Sequence, residues 1–327
     1  MILGLVLSLL SNAEASAKTL CAYDPGGKSG DYFKILEDYA LQAPSFGAPI
    51  EIRAYTDEET AVKDYEAGQC DAVMATGVRL QRFNRFPTSI EAVGALPKNS
   101  QLKQMVKTLA TNEKAKAKMT SSGHETAGIV PIGPVYLFVR DRNIDTVAEL
   151  AGKKIATLDY DRPSVVMVNE VGAIMTPADL GTLGPKFNNG EVDACYISAP
   201  AYKPFELEKG LGSTGGVVKL PLAQATLQIL IHQDRFPAGF GEQSRKFFYG
   251  KFDEAMGLVN KAEAGIPSKY WINLPADKIP DFDDMFLDVR LTLRDKEKSY
   301  DSGMLKAMRI LRCKDDPNRA ECAEKKE

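Results

Sequence analysis

The hydrophobic and polar positions of this chain fall into short apolar runs separated by stretches of helical spacing. An apolar run of about five residues predicts a strand, and apolar positions three or four residues apart predict one face of a helix. Asp57, just before such a face, is a plausible helix N-cap. The pattern predicts strands at 19–23, 50–55 and 71–75, and helices at 31–41, 57–67 and 101–119.

Two longer extended segments, 128–139 and 217–233, divide the chain. We interpret them as strands that cross from a first lobe to a second lobe and back. From residue 234 onward the pattern is mainly helical, with one long amphipathic helix marked by Phe282, Met285, Phe286, Val289 and Leu293. Two lobes joined by crossing strands form a hinge with a cleft between them. The predicted units are lobe 1 with a C-terminal helical extension at 18–135 plus 226–327, and lobe 2 at 136–225.

A repeated phrase indicates that both lobes follow one plan. Gly68 and Gly190 each follow a predicted helix end, and each precedes by three residues an aspartate that opens a strand, Asp71 or Asp193. Glycine at this position ends helices because it adopts positive φ without strain. A second repeated pattern lies upstream in each lobe: a run that begins with lysine, continues with mostly apolar residues and ends in aspartate, at 18–24 and 153–159. The sequence therefore predicts two α/β lobes, each a doubly wound sheet.

The beginning of the chain resembles a secretory signal. An apolar run at 2–10 is followed by polar residues and by a small-x-small site, Ala15-Ser16-Ala17. We predict a signal peptide at 1–17 and a periplasmic mature protein without a membrane span. The charged segment that usually opens such a peptide is missing, and a buried N-terminal helix is the alternative.

Five cysteines in an oxidising compartment suggest two disulfide bonds and one free thiol. Cys313 and Cys322 flank a polar loop. Cys21 and Cys70 start strands of lobe 1, and they come within bridging distance if those strands are neighbours. Cys195 lies inside an apolar strand, which indicates a small core residue.

Ligands of open α/β sheets bind beyond the carboxyl ends of the strands. This rule places 24–29, 75–79, 159–162 and 198–203 at the cleft. The repeat pairs Asp24 with Asp159 and Thr76 with Ser198. Because acidic and basic residues are mixed in these segments, charge leaves anionic, cationic and zwitterionic ligands open. The predicted ligand-binding residues are Tyr23, Asp24, Lys28, Ser29, Thr76, Arg79, Asp159, Tyr160, Arg162, Ser198 and Tyr202.

Signals for catalysis or cofactors are weak. The segment 22–29 matches a relaxed phosphate-binding loop, but Pro25 removes an N–H group from the cradle and nucleoside triphosphates are scarce outside the cell. The two histidines, His124 and His232, are isolated in the sequence, and no metal-ligand spacing occurs. A net charge of −3 with scattered basic residues argues against nucleic acid. We predict no enzyme, no metal and no cofactor.

Several strings resemble a known family. Those of lobe 2, at 150–155, 171–173 and 189–194, resemble periplasmic solute-binding proteins of TRAP-type transporters. Strings at 27–30, 186–190, 199–204 and 263–267 resemble the AdeT-type group, which is described both as solute-binding proteins and as components of RND-type efflux linked to aminoglycoside resistance. The resemblance implies a periplasmic-binding-protein-like fold and a small solute delivered to a membrane permease.

One departure affects the expected ligand. TRAP-type binders usually carry an arginine that clamps a substrate carboxylate, and here that place is Ala156. Arg162 or Arg140 could substitute, but a simple carboxylate ligand is in doubt. We predict capture of a small polar solute for an inner-membrane permease. The alternatives are an accessory role in RND-type efflux and, at low odds, an enzyme on the same scaffold.

Overall fold

The computed structural model describes residues 16–327, so the predicted signal peptide at 1–17 lies almost wholly outside the described residues. Within that range, no helix combines the length and the apolar character needed to cross a membrane. The described chain forms two α/β lobes with additional helices.

The first β-α-β-α-β unit opens the described chain. Its inner strands, the first and the third, carry apolar residues on both faces, as expected for parallel strands covered by helices, whereas the second strand, at the edge, alternates apolar and charged residues. As predicted, Asp57 caps the second helix, with its carboxylate accepting the Thr60 N–H at 2.8 Å. The elements are β1 (Lys18–Tyr23), α1 (Phe33–Gln42), β2 (Ile50–Tyr55), α2 (Glu58–Glu66) and β3 (Ala72–Thr76).

A helical segment separates this unit from the first crossing strand. The helix predicted at 101–119 is wrong in one respect, because the structure breaks it at Asn112. The Asn112 side chain accepts the N–H groups of Lys114 and Ala115 and so starts a new helix. The elements are α3 (Gly77–Leu80), α4 (Arg85–Thr88), α5 (Asn99–Thr111), α6 (Glu113–Lys116), β4 (Thr120–Ser121) and the crossing strand β5 (His124–Val139).

The second unit repeats the order of the first, and the chain then returns. The return strand matches the predicted crossing segment closely. The elements are β6 (Lys154–Leu158), α7 (Arg162–Glu170), β7 (Ile174–Ala178), α8 (Leu183–Asn188), β8 (Ala194–Ser198), α9 (Glu208–Leu211) and the return strand β9 (Gly216–His232).

All long strands belong to one sheet with the order β2-β1-β3-β9-β5-β8-β6-β7. In each unit the first strand, β1 or β6, lies between the second and third strands of that unit, which confirms the internal repeat. The antiparallel crossing strands β5 and β9 run side by side through both lobes. Their register shifts between Pro131 and Gly133 and again between Val135 and Leu137, where the sheet passes from one lobe to the other.

The repeated aspartates perform the same task in both units. The Asp71 carboxylate accepts the Thr19 N–H at 2.9 Å, and the Asp193 carboxylate accepts the Lys154 N–H at 2.8 Å. Each aspartate therefore ties the start of the last strand of its unit to the start of the first strand. The preceding glycines, Gly68 and Gly190, have φ of 74° and 78°, as the helix-end interpretation requires.

The remaining chain is mainly helical, as predicted. The long amphipathic helix is α12, which packs on α7 of the second unit and contacts the 93–95 segment. The elements are α10 (Phe240–Gly250), α11 (Phe252–Ala264), β10 (Trp271–Ile272), α12 (Ile279–Asp295), α13 (Ser302–Asp315) and α14 (Ala320–Glu324).

A buried charge network joins the C-terminal helices to the 93–95 segment. Arg312 donates to the carboxylates of Glu321 and Glu327 at 2.6 and 2.5 Å, and its guanidinium also donates to the Ala95 carbonyl at 2.7 Å. Arg290 donates to the Val93 carbonyl at 2.9 Å. The network holds the 93–95 segment, which lies beneath the cleft, in one position.

Both predicted disulfide bonds are present. Cys21 and Cys70 lie on and just before the neighbouring strands β1 and β3, with 5.9 Å between their Cα atoms. Cys313 and Cys322 are bridged with 5.6 Å between Cα atoms. Cys195 is free and buried, and burial raises the pKa of its thiol.

Candidate functional site

The cleft between the lobes contains two neighbouring cavities that share a wall. The wall comes from both lobes: Thr76 ends β3, Ile132 lies on β5, Ser198 ends β8, and the apolar side chains of Leu180 and Ile197 complete it. This position at the carboxyl ends of the strands is the one predicted from the sequence. The structure therefore brings Thr76 and Ser198, equivalent positions in the repeat, to the same wall.

One cavity, here called the Glu91 chamber, has a volume of about 120 Å³. Apolar side chains such as Leu158, Met167 and Leu222 form most of its surface. Its polar residues are Thr76, Gln81, Thr88, Glu91, Asp161, Ser164, Tyr196, Ser198, Gln224 and Tyr300. The chamber suits a small solute with an apolar body and a few polar groups.

The Glu91 carboxyl group is a buried acid of the site with a strongly raised pKa. It accepts the Thr226 N–H at 2.7 Å and the Thr226 hydroxyl at 2.5 Å. Burial raises the pKa of Glu91 to about 8, and the nearby Asp161 and Glu58 carboxylates add to the shift. Burial also raises the pKa of Asp161, which caps α7 by accepting the Ser164 N–H at 3.2 Å.

The second cavity, here called the Tyr23 chamber, has a volume of about 310 Å³. Tyr23, Asp24 and Ser29 from lobe 1 face Pro200 and Phe205 from lobe 2 across it. The buried Asp24 has its pKa raised by burial, although the hydrogen bonds that it accepts oppose this shift.

The loop that resembles a phosphate cradle is filled by its own carboxylate. Asp24 accepts the N–H groups of Gly26 at 2.8 Å and of Tyr32 at 3.2 Å. A Cβ atom at Gly30 would lie 1.8 Å from the Asp24 carboxylate, so only glycine fits there. The Asp24 carboxylate therefore occupies the place that a phosphate would need, which agrees with the weak match of this segment to a phosphate-binding loop.

Arg79 and Tyr160 lie at the rim and connect the two lobes through Glu58. The buried Glu58 carboxylate accepts from Arg79 Nε at 3.2 Å and from the Tyr160 hydroxyl at 3.2 Å. The Arg79 guanidinium carbon lies 3.4 Å from the centroid of the Tyr160 ring. We call these three side chains the rim latch. Burial raises the pKa of Tyr160 above its usual range.

Six predicted site residues lie outside both chambers: Arg79 and Tyr160 at the rim, and four others elsewhere. Lys28 is exposed in a shallow hollow beside Thr19 and Glu51, and Asp159 is exposed. The guanidinium of Arg162 pairs with Glu297 at 2.7 Å. Tyr202 is buried in lobe 2, where its ring stacks on Phe138.

The alternative carboxylate clamp also lies elsewhere. Arg140 donates to the Phe187 carbonyl at 2.8 Å, at the end of α8. Ala156 is fully buried in the lobe 2 core. The Arg140 guanidinium therefore does not reach the chambers, and the buried position 156 does not face them.

Sequence reasoning missed the polar residues that line the Glu91 chamber, above all Glu91, Tyr196 and Gln224. One signal was available: Gln224, Thr226 and Gln228 alternate with apolar residues on β9, and all three are buried. Period-two polar residues on a buried strand indicate a polar site. Glu91 lies in an irregular segment, where no such pattern exists.

The two histidines are isolated in the sequence but not in the structure. Their rings lie 5.2 Å apart on the paired strands β5 and β9, and the Tyr65 hydroxyl is 2.6 Å from His124 Nδ1. Neither histidine lines the chambers. Among residues 16–327, no group of histidine, cysteine and acidic side chains has the arrangement of a metal site.

Comparison with known sequences gives one family. The family described as solute-binding protein AdeT 1/2 matches residues 47–327. The chain is 40% identical over 301 residues to "Probable solute-binding protein AdeT1" of Acinetobacter baumannii, covering 92% of this chain and 98% of that protein. It is 27% identical over 239 residues to "Probable solute-binding protein AdeT2" of the same organism, covering 72% and 98%.

Comparison with solved structures shows the fold. A TRAP periplasmic solute-binding protein from Desulfovibrio salexigens, with bound orotic acid, superposes with a TM-score of 0.70 at 12% identity, covering 90% of this chain and 97% of that chain. One from Sulfitobacter, with bound β-D-galacturonate, gives 0.70 at 13% identity, covering 90% and 100%. DctP7 of Bordetella pertussis, an extracytoplasmic receptor binding pyroglutamic acid, gives 0.69 at 14% identity, covering 90% and 100%.

Proposed function

The chain belongs to the AdeT 1/2 family of solute-binding proteins, and from this premise we propose that it captures a small polar solute in the interlobe cleft, in the periplasm, for a membrane transporter. The single observation that carries the proposal is the shared wall of the two chambers. Lobe 1 supplies Thr76 and lobe 2 supplies Ser198, so a solute at this wall contacts both lobes. A ligand that contacts both lobes favours the closed form.

Delivery to a transporter follows from the same geometry. The closed form differs from the open form in the relative position of the lobes, and a membrane partner can recognise that difference. The structural neighbours are TRAP periplasmic solute-binding proteins, and their fold supports a permease as the partner of this chain.

The first test is ligand binding by the mature protein. A solute panel in a thermal-shift assay should give at least one compound that raises the unfolding temperature, because a ligand bound only by the folded state stabilises it. The double variant Thr76→Val/Ser198→Ala should lose most of this shift. The exposed pair Thr111→Val/Ser45→Ala is the matched control and should keep it.

The second test concerns the partner. Photo-crosslinking in intact cells should recover an inner-membrane permease, and recovery should decrease when the captured solute is absent. Recovery of an efflux complex instead would favour the accessory role. A panel without any stabilising solute would remove the support for solute capture.

A further inference from the structure

The backbone N–H groups at the cleft that would bind an anion are already occupied. An anionic ligand group usually binds to free N–H groups at helix N-termini and tight turns. Here the Asp24 carboxylate accepts those of Gly26 and Tyr32, and the Asp161 carboxylate accepts that of Ser164 at the start of α7. Protein carboxylates therefore lie where a ligand carboxylate would bind.

Two more carboxylates repeat this arrangement. Glu58 accepts the Thr76 N–H at 2.6 Å, directly after β3, and Glu91 accepts the Thr226 N–H at 2.7 Å on β9. Glu58 lies next to the shared wall through its bond to Thr76, and Glu91 lines the Glu91 chamber. Four carboxylates around the cleft thus close five backbone N–H groups to an external anion.

Carboxyl groups, and no basic side chains, line the two chambers. In the described part of the chain, Glu91 and Asp161 line the Glu91 chamber, Asp24 and Asp31 line the Tyr23 chamber, and no lysine or arginine lines either. Arg79 lies at the rim, where Glu58 already neutralises it. A carboxylate placed inside would have no cation to compensate for its lost hydration.

Unpartnered polar atoms show which ligand groups are missing. The Gln224 Oε1 atom and the Tyr196 hydroxyl are buried without a hydrogen-bond partner, and both residues line the Glu91 chamber. The Thr76 hydroxyl at the shared wall is likewise unpartnered. An amide oxygen can only accept, and the two hydroxyls can accept as well as donate. The Gln224 oxygen therefore needs a donor, and the two hydroxyls are free to accept from the same donor or to orient around it.

We propose that this cleft takes a small organic cation: a solute with a protonated amine that donates to Gln224, Tyr196 and the Glu91 carboxylate. The proposal rests on the proposed function and names its ligand class. The apolar body of the solute packs on Leu158, Met167 and Leu222. This class is opposite in charge to the acids bound by the structural neighbours.

The test compares ligands that differ only in charge. Each set contains an amine, an alcohol and a carboxylic acid on one skeleton: 1,3-diaminopropane, 1,3-propanediol and malonate; 1,5-diaminopentane, 1,5-pentanediol and glutarate; galactosamine, galactose and galacturonate. Isothermal titration calorimetry with the mature protein should give at least one amine that binds about tenfold or more tightly than its matched alcohol and acid.

A second readout reports the protonation of Glu91. Its neighbours are the acids Asp161 and Glu58 and the hydroxyl of Tyr300. Because the pKa of Glu91 is about 8 without a ligand, an amine that binds its ionised form should release about one proton at pH 7. Titrations in two buffers with different ionisation enthalpies measure this number.

Variants connect the preference to the named residues. Glu91→Gln should weaken amine binding by about tenfold and abolish the proton release, since an amide cannot ionise. Gln224→Leu should also weaken it. The matched control Glu113→Gln, at an exposed position on α6, should leave both quantities unchanged.

Three outcomes are possible, and each is decisive. Amine preference that Glu91→Gln removes supports the proposal. Tighter binding of an alcohol or an acid overturns it but keeps solute capture. If no compound of any charge binds at millimolar concentration, both the cation proposal and solute capture fail for these ligands.

Discussion

Glu91 is a buried carboxyl group whose polar contacts are all neutral. Its two hydrogen bonds come from Thr226, and the nearest charged groups that act on it, Asp161 and Glu58, are acidic. Such a group keeps its proton because burial disfavours the charged form. The folded protein therefore binds a proton that the unfolded chain releases at much lower pH.

Glu91→Gln should change how stability depends on pH. In the unfolded chain the carboxyl ionises near its model value of 4.5, and in the folded protein its pKa is about 8. The free energy of unfolding should therefore decrease as pH rises from about 4.5 to about 8, because the folded state retains the proton. The amide variant lacks this loss, so its stability relative to the parent should be about 3 to 4 kcal/mol greater at pH 8 than at pH 5.

Urea unfolding at pH 5 and pH 8 measures this difference. Glu113→Gln, with an exposed side chain, should show the pH dependence of the parent. A Glu91→Gln protein that lost stability equally at both pH values would contradict a raised pKa and would indicate a purely structural carboxylate.

At the scale of elements, the same aspartate-to-backbone hydrogen bond connects the first and last strands of each β-α-β-α-β unit. Asp71 and Asp193 bind the N–H groups that open β1 and β6, and a glycine with positive φ precedes each of them. These local interactions explain why the repeated phrase could be recognised in the sequence. Only the first unit adds a disulfide bond between its first and last strands.

Removal of the two disulfide bonds should have unequal effects. The Cys21–Cys70 bond spans 49 residues and the Cys313–Cys322 bond spans 9. Because a longer loop loses more entropy in the unfolded state, Cys21→Ala/Cys70→Ala should cost about 4 kcal/mol and Cys313→Ala/Cys322→Ala about 3 kcal/mol. Denaturant unfolding of the two double variants checks the order, with the bridge-free Cys195→Ala as the control for a lost core sulfur.

A greater loss from the short C-terminal loop would contradict the loop-entropy argument. It would show instead that Cys313 and Cys322 hold α13 and α14 in place for the Arg312–Glu321 contact.

At the scale of the whole molecule, the lobes are joined by β5 and β9 and held at the rim by the latch of Glu58, Arg79 and Tyr160. The hydroxyl of Tyr160 reaches from lobe 2 to a buried carboxylate of lobe 1. Opening the cleft would separate Tyr160 in lobe 2 from Glu58 and Arg79 in lobe 1, so the latch contacts form only when the lobes are close together. The latch therefore favours the closed form.

Tyr160→Phe should shift the lobes toward the open form. The variant keeps the ring under Arg79 and removes one hydrogen bond to a carboxylate, so the open population should rise about fivefold. Spin labels at Leu41→Cys and Ile174→Cys, both exposed and in different lobes, measure the interlobe distance distribution. Tyr249→Phe is the control, and an unchanged distribution in Tyr160→Phe would show that the rim latch does not hold the cleft closed.

Much of the fold was predictable because its determinants are local. Strand and helix positions, the crossing segments, the repeat and both disulfide bonds were predicted from patterns that span a few residues. The family comparisons confirm the resemblance to AdeT-type and TRAP-type solute-binding proteins. The lobe boundaries at 18–135 plus 226–327 and 136–225 remain a prediction.

The cleft was predicted as a set of segments, and its individual residues less well. Thr76 and Ser198 reach the shared wall because they end strands, and strand ends meet at one sheet edge. Arg162 and Tyr202 lie in segments that were predicted to face the cleft. The Arg162 side chain instead pairs with Glu297, and the Tyr202 side chain packs in the lobe 2 core. The direction of a side chain depends on partners that are distant in sequence.

The sequence by itself determined the two-lobed plan, since periodicity, helix caps and cysteine spacing act over short distances. Only the tertiary structure decided the chemistry of the cleft. Glu91 acquires its raised pKa from burial beside β9, and its hydrogen-bond partner Thr226 lies 135 residues away in the chain. Desolvation and hydrogen-bond pairing are properties of the assembled lobes, and no short stretch of sequence encodes them.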